Sequence, residues 1–202
     1  FRAQWRQAVS SAGIVGASIA VVRGDEVVFH DHAGAADLEA PRAVDAQTIF
    51  HWASITKTFT GVAILQLRDR GRLSLDDPAV RYVPELRAVH NPHGPIEAVT
   101  IGHLLSHSAG FRSPTWPWGG NQPWHPFEPP GWAQVAAMLP YTRVEFPPGS
   151  RFQYSNPGIV FLGRIIEHLT NEDFEVYIDK HILRPLEMRD SSFDLTPPYR
   201  LA

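Results

Sequence analysis

The chain contains no cysteine. Disulfide staples, thiolate nucleophiles, zinc ribbons and iron–sulfur clusters are thereby excluded. The absence does not fix a redox compartment, because 202 residues can bury a core without a covalent staple. Lysine is nearly as scarce, with Lys57 and Lys180 standing against 16 arginines. Charge of one sign does not accumulate: the formal net charge is −3 and no basic stripe exists, which excludes a nucleic-acid partner. Long apolar runs are missing as well. The stretch Gly158–Ile166 is too short and too interrupted to cross a bilayer, so no membrane span is expected. The first residues, Phe1-Arg2-Ala3-Gln4-Trp5, carry neither the basic nor the apolar region of a signal peptide. With no initiating Met, both ends read as boundaries set by cloning or processing.

What is present is the composition of a soluble globular protein, 44% apolar and 19% charged. Residues 3–12 read as a short helix ending at Gly13. Ala17–Val22 and Glu26–His30 read as two strands around a Gly24-Asp25 turn. Residues 31–47 read as a loop. From Ala53 the period changes, and Phe59, Val62, Ala63, Leu65 and Leu67 suit a buried helix stopped by Gly71. Residues 73–100 read as loops with short turns, Ile101–Ser106 as a short helix, and 131–139 as another. Phe161–Leu169 and Phe174–Leu183 complete the helices. The segment 112–132 holds four of the six Trp and six of the 18 Pro, too many prolines for a packed element, and reads as a long loop or lid. A two-stranded hairpin is marginal alone, so the sheet looks unfinished.

Two short motifs carry chemistry. Ser54 and Lys57, three apart at a helix start, lie on one face. A serine hydroxyl becomes a nucleophile when a base takes its proton, and a lysine serves as that base when burial or nearby charge lowers its pKa. Arginine stays protonated and cannot substitute, which gives a reason for a lysine in an arginine-rich chain. Chance would produce roughly 0.1 such spacings here. The alternative is Ser54 as a helix N-cap with Lys57 as a solvated first-turn charge. In the second motif, Tyr154 and Asn156 follow the turn Pro147-Pro148-Gly149. Tyrosine beside a lysine ammonium suits a proton shuttle, and Asn156 suits orientation of the lysine and acceptance of a substrate amide. The alternative is an Asx turn before Pro157.

Together these motifs resemble the serine β-lactamase and penicillin-binding-protein superfamily, in its class C-like branch of esterases, D-peptidases and β-lactamases. The resemblance runs in order through Phe50–Lys57, Leu73–Pro78, Tyr82-Val83-Pro84, Thr100-Ile101, Leu104–Gly110, Pro148-Gly149, Tyr154-Ser155-Asn156 and Pro185–Met188. It implies an α+β fold of the β-lactamase/DD-peptidase type. Residues 1–202 would be the N-terminal portion of one catalytic domain, with a sheet-forming hairpin and loop in 1–47 and a mainly helical region in 48–202. It implies covalent catalysis in which Ser54 attacks an ester or amide carbonyl, Lys57 and Tyr154 manage protons, Asn156 contacts the acyl substituent, and the Ser54 N–H serves as one oxyanion donor. No cofactor or metal is implied. Tyr-Ser-Asn in place of Ser-Asp-Asn, with no counterpart of the class A deacylating glutamate, favours the branch in which tyrosine serves deacylation.

The departure is a missing third motif. Neither Lys-Thr-Gly nor His-x-Gly follows Tyr154 at a suitable position, and members of this superfamily run considerably longer. The rest of the sheet is expected beyond this chain or on another chain, and the isolated 202 residues are expected to be a poor catalyst. The resemblance also implies export to the periplasm or the medium. Among other candidates, Trp116, Trp118 and Trp124 suit a hydrophobic rim over the acyl pocket, against the alternative of an insertion packed on the protein's own surface. His103 and His107 have metal-pair spacing if helical but lack the glutamate of a zincin. His30 and His32 share a strand face, and Asp76-Asp77 reads as a turn or cap. The expected substrate is a small ester, amide or β-lactam, with a carboxylesterase or D-peptidase-like hydrolase ranked before a true β-lactamase. A penicillin-binding sensor or inactive scaffold without turnover is the alternative of another class.

Overall fold

The computed structural model describes residues 1–40, 42–112 and 131–193. They fall into two compact units, Phe1–His51 and Trp52–Phe193.

In the first unit, α1 (Arg2–Ser11) precedes an antiparallel sheet of β1 (Gly16–Arg23), β2 (Glu26–Asp37) and β3 (Arg42–Ala43), in the order β1-β2-β3. The Gly24-Asp25 turn pairs Arg23 with Glu26, and a bulge between Val21 and Val22 then shifts the register by one residue, so that Ser18 lies opposite His32. The loop expected over 31–47 is corrected: β2 continues to Asp37, and a third strand follows. The polar triplet His30-Asp31-His32 hides the strand because its inward member is a carboxylate. Asp31 is buried, and Arg6 of α1 donates to both its oxygens at 2.8 and 2.7 Å. An enclosed carboxylate is tolerated only when paired in this way. The Arg6 hydrogen bonds hold Asp31 below the usual carboxylate range. At Gly34, φ is +82° and the Val15 carbonyl occupies the place a side chain would take, so only glycine fits.

The second unit is helical. A 3₁₀ turn at Ala53–Ile55 leads into α2 (Thr56–Asp69). Short 3₁₀ turns punctuate residues 79–98, as expected for that proline- and aspartate-rich stretch. There follow α3 (Ile101–Leu105), α4 (Trp132–Met138), α5 (Asn156–Thr170) and α6 (Phe174–Ile178), the last running into a π turn at Asp179–Leu183. The core gathers on α5, whose Phe161, Leu162, Ile165 and Ile166 meet Ala63, Ile64 and Leu67 of α2, with Ile101 and Leu104 of α3 and Tyr177 and Ile178 of α6 in the same cluster.

Two expectations are corrected here. The buried stripe of α2 is Thr60, Ala63, Ile64 and Leu67, at the i, i+3, i+4, i+7 spacing of a helical face, whereas Val62 and Leu65 are exposed. Helix α5 starts at Asn156 and not at Phe161. The buried Ser155 hydroxyl caps it by accepting from the Gly158 N–H at 3.2 Å, and Pro157 fits the first turn, where its missing N–H costs nothing. Among the described residues, no helix is long and apolar enough to cross a membrane.

Candidate active site

Ser54 lies in the 3₁₀ turn before α2, and Lys57 follows in the first turn of the helix. Neither helical element carries a side-chain cap bond, so Ser54 is not the N-cap of the alternative reading. Its hydroxyl instead lies 2.6 Å from the Tyr154 hydroxyl and 3.0 Å from Lys57 Nζ. An ammonium can only donate. Ser54 Oγ therefore accepts from Lys57, and its own proton is available to Tyr154. Lys57 Nζ also sits 5.0 Å from the centre of the Tyr154 ring. The residue before Ser54 is held in an unusual conformation, with Ala53 at φ 46°, a region that costs a non-glycine residue on the order of 1 kcal/mol.

Tyr154 reaches this place because two chain segments run together. Gly149 N–H donates to Ser108 O at 2.8 Å, Gln153 N–H to His107 O at 2.8 Å, and Ser155 Oγ to Arg112 O at 3.0 Å. At Gly149, φ is +82° and an added Cβ would stand 2.9 Å from His103 Nε2, so the turn at Pro147-Pro148-Gly149 requires glycine there. Burial opposes ionisation of Tyr154 and is the largest single influence on it. The hydrogen bonds and charge of Lys57, with the bond from Ser54, together outweigh burial and hold the phenol below its ordinary 10.0.

Ser54, Lys57 and Tyr154 are thus brought together across a hundred positions. Asn156 stands two residues beyond Tyr154, at the start of α5 and half-buried. Trp116, Trp118 and Trp124 lie outside the described residues. Trp132, from the end of the same segment, donates to Glu85 at 3.0 Å and meets the edge of Phe161. His103 and His107 do not share a helical face, because α3 ends at Leu105 and His107 has φ 55°. His103 forms a capping box with Thr100. The rings of His30 and His32 lie 5.8 Å apart on β2, and Asp77 accepts from Ser74 N–H and Tyr82 in a turn. Among the described residues, no group of three or more His, Asp or Glu side chains converges as a metal site would require.

His107 is the site neighbour that its spacing did not disclose. Its ring centre lies 4.6 Å from that of Tyr154 at an interplanar angle of 33°, and its Nδ1 accepts the Ser155 N–H at 3.1 Å. Burial first, and the Lys57 charge second, hold its pKa below the ordinary 6.5. The one signal for it in the sequence was its place inside the Leu104–Gly110 segment of the resemblance.

A family model described as Beta-lactamase matches residues 1–201. The chain belongs to this family. Esterase EstB of Burkholderia gladioli is 32% identical over 207 residues, covering 97% of this chain and 51% of the relative. Protein flp of Staphylococcus aureus strain MW2 is 32% identical over 183 residues, covering 91% of this chain and 36% of the relative. Among solved structures, the octameric penicillin-binding protein homologue from Pyrococcus abyssi superposes with a TM-score of 0.75 at 33% identity, covering 93% of this chain and 42% of that one. A class C β-lactamase in complex with cefoxitin superposes with a TM-score of 0.81 at 24% identity, covering 98% and 51%. The fold is therefore that of β-lactamases and penicillin-binding proteins. The chain spans about half the length, or less, of these relatives.

Proposed function

We propose that this chain carries the nucleophile and the proton-handling groups of a serine hydrolase that works through an acyl-enzyme. The observation that carries the reading is the Ser54 hydroxyl held between Tyr154 at 2.6 Å and Lys57 at 3.0 Å. An O···O separation of 2.6 Å lies in the range of hydrogen bonds to an ionised oxygen. The lowered pKa of Tyr154 supports the same assignment.

In this mechanism the Tyr154 phenolate takes the Ser54 proton as Oγ bonds to the substrate carbonyl carbon. The carbonyl π pair moves to oxygen. The Ser54 N–H, in the first turn of a helical segment where N–H groups lack internal acceptors, stabilises that charge. Collapse breaks the bond to the leaving group, which takes the proton back from Tyr154. Water then attacks the acyl-enzyme with Tyr154 again as base, and Ser54 leaves with the proton. The Lys57 ammonium keeps the phenolate charge compensated throughout.

The substrate class we favour is a carboxylic ester. A relative named as an esterase, 32% identical over 97% of this chain, supports esters before β-lactams. The test is the intact mass of the full-length protein before and after brief exposure to a fluorophosphonate probe. One adduct, absent in Ser54→Ala, is expected; labelling undiminished in Ser54→Ala would overturn the assignment. Turnover of p-nitrophenyl butyrate against nitrocefin then separates an esterase from a β-lactamase. A stable adduct with no turnover of either would identify the sensor or scaffold reading instead.

A further inference from the structure

We propose that His107 is a positioning residue for Tyr154: it grips the chain on both sides of the tyrosine, stacks on the ring, and so fixes the phenol oxygen against Ser54. The inference rests on the hydrolase reading and adds to it a residue that reaches the reaction only through Tyr154.

The grip has four contacts on four consecutive residues. The His107 ring meets the edge of Phe152, with centroids 5.8 Å apart at 83°. Its carbonyl accepts from Gln153 N–H at 2.8 Å. Its ring lies over Tyr154, and its Nδ1 accepts from Ser155 N–H at 3.1 Å. The two hydrogen bonds flank Tyr154 directly, so the tyrosine backbone cannot rotate without breaking one of them. His107 adopts a left-handed backbone, φ 55°, which a non-glycine residue keeps only when its surroundings over-determine it. That conformation lets one residue present its carbonyl and its ring nitrogen to the same neighbouring segment.

The chemistry requires a neutral imidazole. With Nδ1 accepting a backbone N–H, the ring carries its proton on Nε2. Protonation would place a second N–H against the Ser155 N–H and a second cation near Lys57. Among the described residues, the charged and titratable groups facing the ring are Lys57 from α2 and Tyr154 from the segment before α5. Burial and Lys57 keep the ring neutral at neutral pH, so the grip is complete there and loosens on acidification below the ordinary histidine range.

The test uses the full-length protein with two substitutions that divide the histidine's parts. His107→Asn keeps a side-chain acceptor and tolerates the left-handed backbone. His107→Phe keeps a ring to stack and loses the acceptor. Misplacing a reacting group by an ångström costs about 100-fold in rate. We expect His107→Phe to lower kcat for p-nitrophenyl butyrate by about that factor with KM little changed. His107→Asn should recover part of the loss and shed the acid limb that imidazole protonation adds to the pH profile. Wild-type kcat and an unaltered pH profile in both variants would overturn the proposal. So would equal losses in both that track only the folded fraction seen by circular dichroism. Should the wild-type protein fail to react at Ser54, the hydrolase reading falls alone. The positioning claim is then judged by the tyrosinate absorbance of Tyr154, isolated by subtracting the Tyr154→Phe titration. A shifted midpoint in folded His107→Asn supports the claim, and an unchanged midpoint refutes it.

Discussion

At the scale of a single residue, the proposed mechanism makes Tyr154 the source of the site's pH dependence. Its phenol lies below 10.0 in the folded chain, so the phenolate fraction, and with it acylation of Ser54, should rise with pH until that lowered pKa is passed. Tyr154→Phe should lower the rate constant for fluorophosphonate labelling by about 10²- to 10⁴-fold and remove that rising limb. A stopped-flow pH series on both proteins checks this; an identical limb in the variant assigns it elsewhere. The residue scale is also where the sequence spoke most clearly. The proximity of Ser54 and Lys57 was legible from spacing, because residues three apart share one helical face, whereas the choice between nucleophile and helix cap was left open there. Tyr154 was a candidate from its own Tyr-Ser-Asn motif, but its pairing with Ser54 came only through the ordered resemblance, since a gap of a hundred positions leaves no local trace. His107 was read as part of a structural segment, and its contact with Tyr154 was missed because α3 ends before it and a left-handed backbone leaves no mark in a hydrophobic pattern.

At the scale of elements, Ser155 joins the site to the core. Its hydroxyl accepts from the α5 N-terminus and donates to Arg112 O, so one buried side chain fixes both the helix start and the segment that carries Tyr154. Ser155→Ala should destabilise the chain by about 1–2 kcal/mol, a cap's worth plus one stranded carbonyl. Urea unfolding would register this as a lower midpoint with an unchanged slope. The helices themselves were legible in outline. What went wrong lay at boundaries and faces. The start of α5 was hidden in a Tyr-Ser-Asn-Pro run that reads as a turn until the cap is recognised. Strand β2 was cut short because its alternation passes through a carboxylate whose partner sits on α1, and no periodicity in β2 announces Arg6. In α2, apolar residues occur on more than one face, so the hydrophobic pattern placed Val62 and Leu65 inside.

For the molecule as a whole, alkaline stability should depend on one buried phenol. Tyr82 is 5% exposed and donates to Asp77 at 2.5 Å; burial, aided by that carboxylate, pushes its pKa up to about 12. Its ordinary value is 10.0. Below that, folded and unfolded chains are both protonated at Tyr82, and the stabilisation is complete. Between about 10 and 12 the unfolded chain loses the proton and the folded chain keeps it, so stability falls as pH rises. The loss is on the order of 2 kcal/mol. Unfolding midpoints measured across that window should fall steeply in the wild-type protein and less steeply in Tyr82→Phe; parallel curves would assign the alkaline loss to other groups. At this scale the sequence disclosed the fold class through an ordered set of motifs, each weak alone. It disclosed little of the helix packing, because α5 becomes central only through contacts with three other helices.

The strained turn before Ser54 would set stability against the reactivity proposed for that serine. A glycine at position 53 would relieve the left-handed backbone of Ala53, a gain on the order of 1 kcal/mol. The extra freedom of the unfolded chain would take back roughly 0.5–1 kcal/mol. Ala53→Gly should therefore be neutral or slightly more stable by urea unfolding, while the loosened turn labels more slowly with a fluorophosphonate. A directed-evolution campaign that selects for thermal resilience alone would be drawn to this position, and would enrich survivors that hold their shape and have lost their aim.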